Sequence, residues 1–346
     1  MGRKLLWASL VLAPVTFAAD LLHTGDVALF VLAAVALIPL AWLIGEATEH
    51  AAEHTGPAIG GFLNASFGNA PELIIALFAV SDDLPNVVRG SLAGSVVSNL
   101  LLVLGVTMLL GPDRGPINRN SLLAQLGLVL AAVLVFLVPA VPGLHGDPER
   151  HSLAVLGIPV AIALLALYLA VTYANLRRSR RLHAASGEVA TGWSLPRALV
   201  ALGLATAATA VISEILVHSL DAFAKSAGLS EFFVSAVIVA IVGNAAEHGG
   251  AVVIARHGNV ELASEIAISS SAQVALLVTP VVALLSFAVT PALPLTFRPV
   301  ELGAMGVAAV AVALGVTGGR SRRREGAFLV ALYVAAAVAF GFAGDR

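Results

Sequence analysis

Apolar stretches long enough to cross a bilayer, which takes about 20 residues, recur along almost the whole chain. Read between polar breaks, they give eleven spans. These lie near 5–22, 27–48, 57–80, 87–111, 121–140, 151–173, 195–219, 231–256, 261–289, 295–316 and 326–343. The pattern predicts an all-α polytopic membrane protein with eleven transmembrane helices. The first run follows Arg3 and Lys4 as a signal peptide would, but no globular chain follows that would need secretion, so it reads as a spanning helix. The segment 261–289 is long enough to begin along the membrane surface before entering it.

Composition agrees with that class. Hydrophobic residues make up 59% of the chain, charged residues 12%, and the mean hydropathy is +0.95, whereas a soluble domain carries about a quarter charged residues. There is no cysteine, which excludes disulfides and thiolate metal sites. Basic residues are almost all Arg, and Ala is abundant, a compositional hint of a bacterial gene. The lipid bilayer is the expected environment, with no nucleic-acid partner.

Placement of charge predicts orientation. With the N-terminus inside, fourteen Lys and Arg residues fall on the inner side, among them Arg114, Arg119, Arg256, Arg320 and Arg322 to Arg324. Only Arg89, Arg150, Lys225, Arg298 and Arg346 fall outside. The positive-inside rule therefore predicts a cytoplasmic N-terminus and an external C-terminus, and the bacterial hint implies a plasma membrane.

A repeat divides the chain. A shift of 175 positions carries Gly68, Asn69, Ala70 and Glu72 onto Gly243, Asn244, Ala245 and Glu247, and Ser95 onto Ser270. The predicted plan is an N-terminal helix (1–26), a first five-helix repeat (27–174), a basic cytoplasmic linker (175–194) and a second five-helix repeat (195–346). Five is odd, so the second unit enters from the opposite side, an inverted-topology arrangement found in secondary transporters with midplane sites.

Glu72 and Glu247 each stand in an apolar run behind Gly-Asn-Ala. One buried acid can be a packing group that hydrogen-bonds its neighbours, but duplication of the pattern argues for function. Asn69 and Glu72 are three apart, as are Asn244 and Glu247, so each pair shares a helix face and offers hard oxygen ligands suited to Ca²⁺. An empty, doubly ionised pair would resist crossing the hydrocarbon, so either a divalent cation or protons should be aboard. That is the logic of antiport.

Pro71 cannot donate to the carbonyl of Phe67 and so opens the helix beside Glu72; Ala246 replaces it in the second half, so that opening need not be symmetric. Gly68, Gly243, Gly249 and Gly250 would permit close helix approach. Ser95, Ser98, Asn99, Ser270, Ser271 and Gln273 would complete the coordination shell, or else hydrogen-bond between helices. His248 points about 100° away from Glu247 around a helix and either modulates the proton step or packs. Glu49 and Glu214, nearer the span ends, would line ion or proton entry routes or snorkel to the interface.

"GNAPELIIALFAV", "GSVVSNLLLVLG" and "GNAAEHGGAVVIARHGNVELASEIAISSSAQVALLVTP" resemble the paired signatures of the Ca²⁺/cation–proton antiporters, the CAX branch of the cation/Ca²⁺ exchangers. The resemblance runs over nearly the whole chain. It implies exchange of Ca²⁺ for H⁺ by alternating access, with the central glutamates at Glu72 and Glu247 and accompanying amides at Asn99 and Gln273. It implies neither an enzyme nor a resident cofactor. Pro71 and Gly249 depart from the usual pattern, and the linker is basic where many eukaryotic members carry an acidic stretch. A Na⁺/Ca²⁺ or Na⁺(K⁺)/H⁺ exchanger of the same architecture is the nearest rival, although Asn69 and Asn244 replace the Thr that would serve Na⁺. A remoter rival is a membrane zinc peptidase, since His50, Glu53 and His54 fit H-x-x-E-H.

Overall fold

The computed structural model describes residues 2–144, 150–183, 192–289, 292–294 and 296–345. Among these, the chain is helical, with a single isolated β-bridge between Pro116 and Arg320. The first half contains α1 (Lys4–Leu21), α2 (Asp26–Phe67), α3 (Ala70–Ser81), α4 (Pro85–Leu110), α5 (Arg119–Leu144) and α6 (Arg150–His183). The second contains α7 (Leu195–Ala227), α8 (Glu231–Gly243), α9 (Ala245–Arg256), α10 (Val260–Ala288), α11 (Pro299–Val316) and α12 (Arg323–Ala343). Nine helices among the described residues are long and apolar enough to cross a membrane, or ten with α8 and α9 as one span.

The departures from the expected spans have local causes. Segments 27–48 and 57–80 are not two separate helices, because helicity runs unbroken from Asp26 to Phe67. The chain nevertheless doubles back inside that element. Gly60 lies against Ala52, although eight residues of straight helix would separate them by about 12 Å. The sequence carries Gly56-Pro57 between these two residues, and the Glu and Ala residues before it favour helix. The basic linker also begins later than expected: α6 continues to His183, and 184–191 lies outside the described residues.

The 175-residue shift reappears in the helix boundaries. It carries Ala70–Ser81 onto Ala245–Arg256, and the start and end of α4 onto Val260 and Leu285. It also aligns a π-helical turn in α4, Ser98–Val103, with one in α10, Val274–Val278. Such turns re-aim side chains and are frequent at functional sites.

At the centre, α4 crosses α8 and α2 runs beside α7, with α3 also against α7. Gly90 and Gly94 make the α4–α8 crossing possible. A Cβ on Gly94 would strike the backbone of Ala236, and one on Gly90 would strike Ser235 and the carbonyl of Phe232. This is small-residue packing of helices in lipid, at a Gly-x-x-x-Gly. The glycines flagged in the sequence behave differently: Gly249 and Gly250 have open space around them, and Gly243 lies against the side chain of Glu72.

One ion pair fastens the second half. Glu301, fully buried, accepts from Arg298 Nε at 2.8 Å and from its backbone N–H at 2.8 Å. The guanidinium also lies over the Phe232 ring, 3.8 Å from its centroid. Removing one member of a buried pair leaves the other charge uncompensated, at about 3–5 kcal/mol. We expect Glu301→Ala to lower the thermal stability of the purified protein by that order, and Glu301→Gln by less, in a detergent melting series.

Candidate functional site

Both acidic motifs fold the same way. The helix stops, Asn69 or Asn244 takes a non-helical conformation (φ −103°, ψ 17° and φ −90°, ψ 10°), and a new helix begins. The opening expected beside Glu72 has a counterpart in the second half, where the break forms without proline. Asn244 Nδ2 donates to the carbonyl of Ala240 at 2.8 Å, so the side chain caps the end that Pro71 opens in the first half. Helices α8 and α9 meet at 59° across this break. Glu72 and Glu247 both fall in the first turn of the restarted helices, where the helix dipole favours a carboxylate. Each break also leaves the last carbonyls of the preceding helix outside the regular helical ladder.

The two acidic motifs meet: the Glu72 side chain packs against Gly243, one helical turn before Glu247. Glu72 is buried, and neither of its carboxylate oxygens has a hydrogen-bond donor. Glu247 Oε2 likewise has none, while Ser270 hydrogen-bonds the Glu247 carboxylate. Buried polar atoms are seldom left unpaired, so this concentration of bare acceptor oxygen needs a positive partner.

Around the pair, amides reach from one half to the other. Asn69 Nδ2 donates to Gln273 Oε1 at 2.7 Å. Asn99 Nδ2 donates to Asn244 Oδ1 at 3.1 Å and to Ser270 Oγ at 3.0 Å. Asn244 Nδ2 donates to Ser95 Oγ at 2.8 Å. Each break asparagine is thus held by the small-polar helix of the opposite half. His248 joins this network through Asn99, its Nε2 lying 3.0 Å from Asn99 Oδ1.

Ser98 and Ser271 are buried nearby but bond backbone: Ser98 to the carbonyl of Ser95, Ser271 to those of Val96 and Ala267. They join the helices around the site without touching the carboxylates through any of these bonds. Glu49 and Glu214 stand apart. Glu49 is exposed on α2, and Glu214 lines a cavity of about 220 Å³ with Asp20, Asp26 and His218.

The zinc-peptidase pattern does not assemble. His50 sits 3.3 Å from Glu46 and 3.5 Å from Glu53, whereas His54 Nε2 turns to the carbonyl of Trp193 at 2.6 Å. Among the described residues, no three His, Asp or Glu side chains converge to hold a metal. Sequence reasoning missed Glu46 in this cluster, and also the hydroxyls of Thr48, Thr209 and Ser213, which are buried without partners. The i,i+4 spacing of Thr209 and Ser213 on an apolar helix was the available signal.

Against known proteins, the sequence matches the sodium/calcium exchanger protein family over residues 26–177 and 197–342. The chain belongs to this family. Among relatives, this exchanger-family protein is 38% identical to the Ca²⁺/H⁺ antiporter ChaA of Bacillus subtilis, over 94% of the chain and 95% of the relative. It is 33% identical to vacuolar cation/proton exchanger 1a of Oryza sativa subsp. japonica, over 94% of the chain and 77% of the relative. The solved structure of YfkE superposes with a TM-score of 0.84 at 35% identity, covering 97% of this chain and 99% of that one. The H⁺/Ca²⁺ exchanger CAX, at 14% identity and a TM-score of 0.72, shares the fold.

Asn99 is the hub of the amide network, with hydrogen bonds to Asn244, Ser270 and His248. An isosteric Asn99→Leu strands buried groups that cost roughly 1–3 kcal/mol each. We expect cation affinity to fall about tenfold or more, read as the KM of ion-driven uptake, while the protein remains folded.

Proposed function

We propose that the protein exchanges Ca²⁺ for H⁺ across a membrane by alternating access, and that Glu72 and Glu247 form the shared site. The observation that carries this reading is the meeting of two mirrored acidic motifs in which both Glu72 oxygens and Glu247 Oε2 lack donors, inside a shell of neutral amides and hydroxyls. Ca²⁺ takes roughly 6–8 hard oxygen ligands. The two carboxylates, the amide oxygens of Asn69, Asn99, Asn244 and Gln273, the hydroxyls of Ser95 and Ser270, and the carbonyls at the helix breaks supply that chemistry. A dication balances both charges. When it leaves, protons on the carboxylates keep the pair neutral for the return, because bare charge within the hydrocarbon costs at least roughly 2.5–3.5 kcal/mol. His248, through Asn99, would couple the amide network to the proton step. Ser98 and Ser271 would hold the helices that carry it.

The repeated helix boundaries support two five-helix units after α1. Counting the reversal within α2 and the broken continuation into α3 as a further span gives the eleven-span plan. An odd number per unit inverts the second relative to the first. With fourteen basic residues inside, the N-terminus is cytoplasmic and the C-terminus external. Relatives from bacteria support a plasma-membrane location. Glu49 and the acidic cavity at Glu214 would serve opposite approaches to the site.

The test is ⁴⁵Ca²⁺ uptake into proteoliposomes under an imposed pH gradient. Uptake that follows the gradient and collapses when it is dissipated is expected. Uptake driven by a Na⁺ gradient and indifferent to pH would replace this reading with Na⁺/Ca²⁺ exchange.

A further inference from the structure

A second polar centre lies away from the carboxylates, where four membrane helices end. The loop joining α4 to α5 and the loop joining α11 to α12 clasp each other. Arg114 N–H donates to Ser321 O at 2.6 Å, Ile117 N–H to Gly319 O at 3.2 Å, and Ser321 N–H to Gly115 O at 2.9 Å. Beside the clasp lies an open cavity of about 470 Å³ lined by Asp113, Arg114, Arg320, Arg322, Arg323 and Arg324. Arg322 is paired with Glu325 at 3.2 Å, and Asp113 accepts from the Arg323 backbone at 3.1 Å. Five arginines line the cavity against the single carboxylate of Asp113, and only Arg322 among them forms a salt bridge with a carboxylate among the described residues, so the cavity carries net positive charge.

Arg114 and Arg320 line this cavity from the two clasped loops, and α12 begins at its edge, where Asp113 accepts from the backbone N–H of Arg323. Beside it runs an apolar groove of about 630 Å³ between α11 and α12, lined by Val307, Val310, Leu314, Phe328 and Leu332, with Glu325 at its mouth. The Arg322–Glu325 pair joins groove and cavity. A cationic pocket at the ends of membrane helices beside an apolar groove along them matches a phosphate joined to hydrocarbon.

We propose that this cavity binds a phosphate group, and that its occupant is the headgroup of an anionic phospholipid whose chain lies in the α11–α12 groove. Guanidinium forks match phosphate oxygens, and the helix end adds its dipole. This site is independent of the transport reading.

The test is native mass spectrometry of the whole protein titrated with phosphatidylglycerol, phosphatidylcholine or inorganic phosphate. Wild type should retain phosphatidylglycerol in preference to phosphatidylcholine. Arg114→Gln combined with Arg320→Gln should reduce that retention about thirtyfold, the loss expected when two surface arginines stop contributing. Arg177→Gln with Arg178→Gln should leave it unchanged. Leu314→Trp, which fills the groove and spares the arginines, should lose phosphatidylglycerol and still bind inorganic phosphate; this keeps the idea testable if the arginine variant misfolds. Inorganic phosphate binding without phosphatidylglycerol binding would overturn the lipid assignment in favour of a soluble phosphate. Equal phosphatidylglycerol retention in wild type and both site variants would overturn the site altogether.

Discussion

Glu72→Gln and Glu247→Gln should each reduce gradient-driven Ca²⁺ uptake by roughly 100-fold or more. The magnitude follows from charge balance. A dication between two carboxylates is neutral, and with one carboxylate gone a net charge must cross the hydrocarbon, at a cost of at least roughly 2.5–3.5 kcal/mol. Glutamine keeps the shape and an acceptor oxygen, so the loss reports charge and protonation rather than packing. The two variants should fail alike, because both carboxylates stand at the same place in their helix breaks. Folding is checked by size-exclusion profile. Transport surviving in either variant would mean that the mirrored acids are structural.

The second large effect is on folding. Gly94→Val should abolish recovery of monodisperse protein, and Gly94→Ala should lower it severely. A new Cβ at Gly94 meets the backbone of Ala236 and not a movable side-chain tip. Ordinary overpacking costs typically about 1–3 kcal/mol because neighbours shift; a backbone cannot yield without parting α4 from α8. That crossing also carries Ser95 and Asn99 toward Asn244, so partial rescue of the fold would still misplace the amides. Gly303→Ala is the control. It has open space around it and should be neutral or stabilising by up to about 1 kcal/mol through helix propensity. Fluorescence-detected size exclusion after a temperature series distinguishes these outcomes.

Much of this was legible in the residues. Apolar run length gave the membrane class, and the repeated Gly-Asn-Ala-x-Glu marked the two acidic segments. The physical basis is that buried charge in lipid is costly and therefore rarely incidental. Three features were hidden. The reversal inside α2 leaves no gap in helicity, so a polarity pattern reads it as two helices. The second break at Asn244 comes from a side chain competing with the backbone for the Ala240 carbonyl, and reading only Pro71 as a breaker missed it. The weight of Gly94 over Gly249 depends on which helix lies opposite, and spacing along one chain segment does not carry that information. His248 is a related case: its ring reaches Asn99 on another helix, although its position places it off the Glu247 face.

The most direct measurement is Ca²⁺ binding by calorimetry, repeated in buffers of different ionisation enthalpy, on wild type, Glu72→Gln and Glu247→Gln. If Ca²⁺ and protons share the pair, the wild-type heat will depend on the buffer, because binding releases protons, and both variants will lose the binding. Binding with no buffer dependence, or binding that persists in both variants, would contradict a site shared between Ca²⁺ and H⁺ on Glu72 and Glu247.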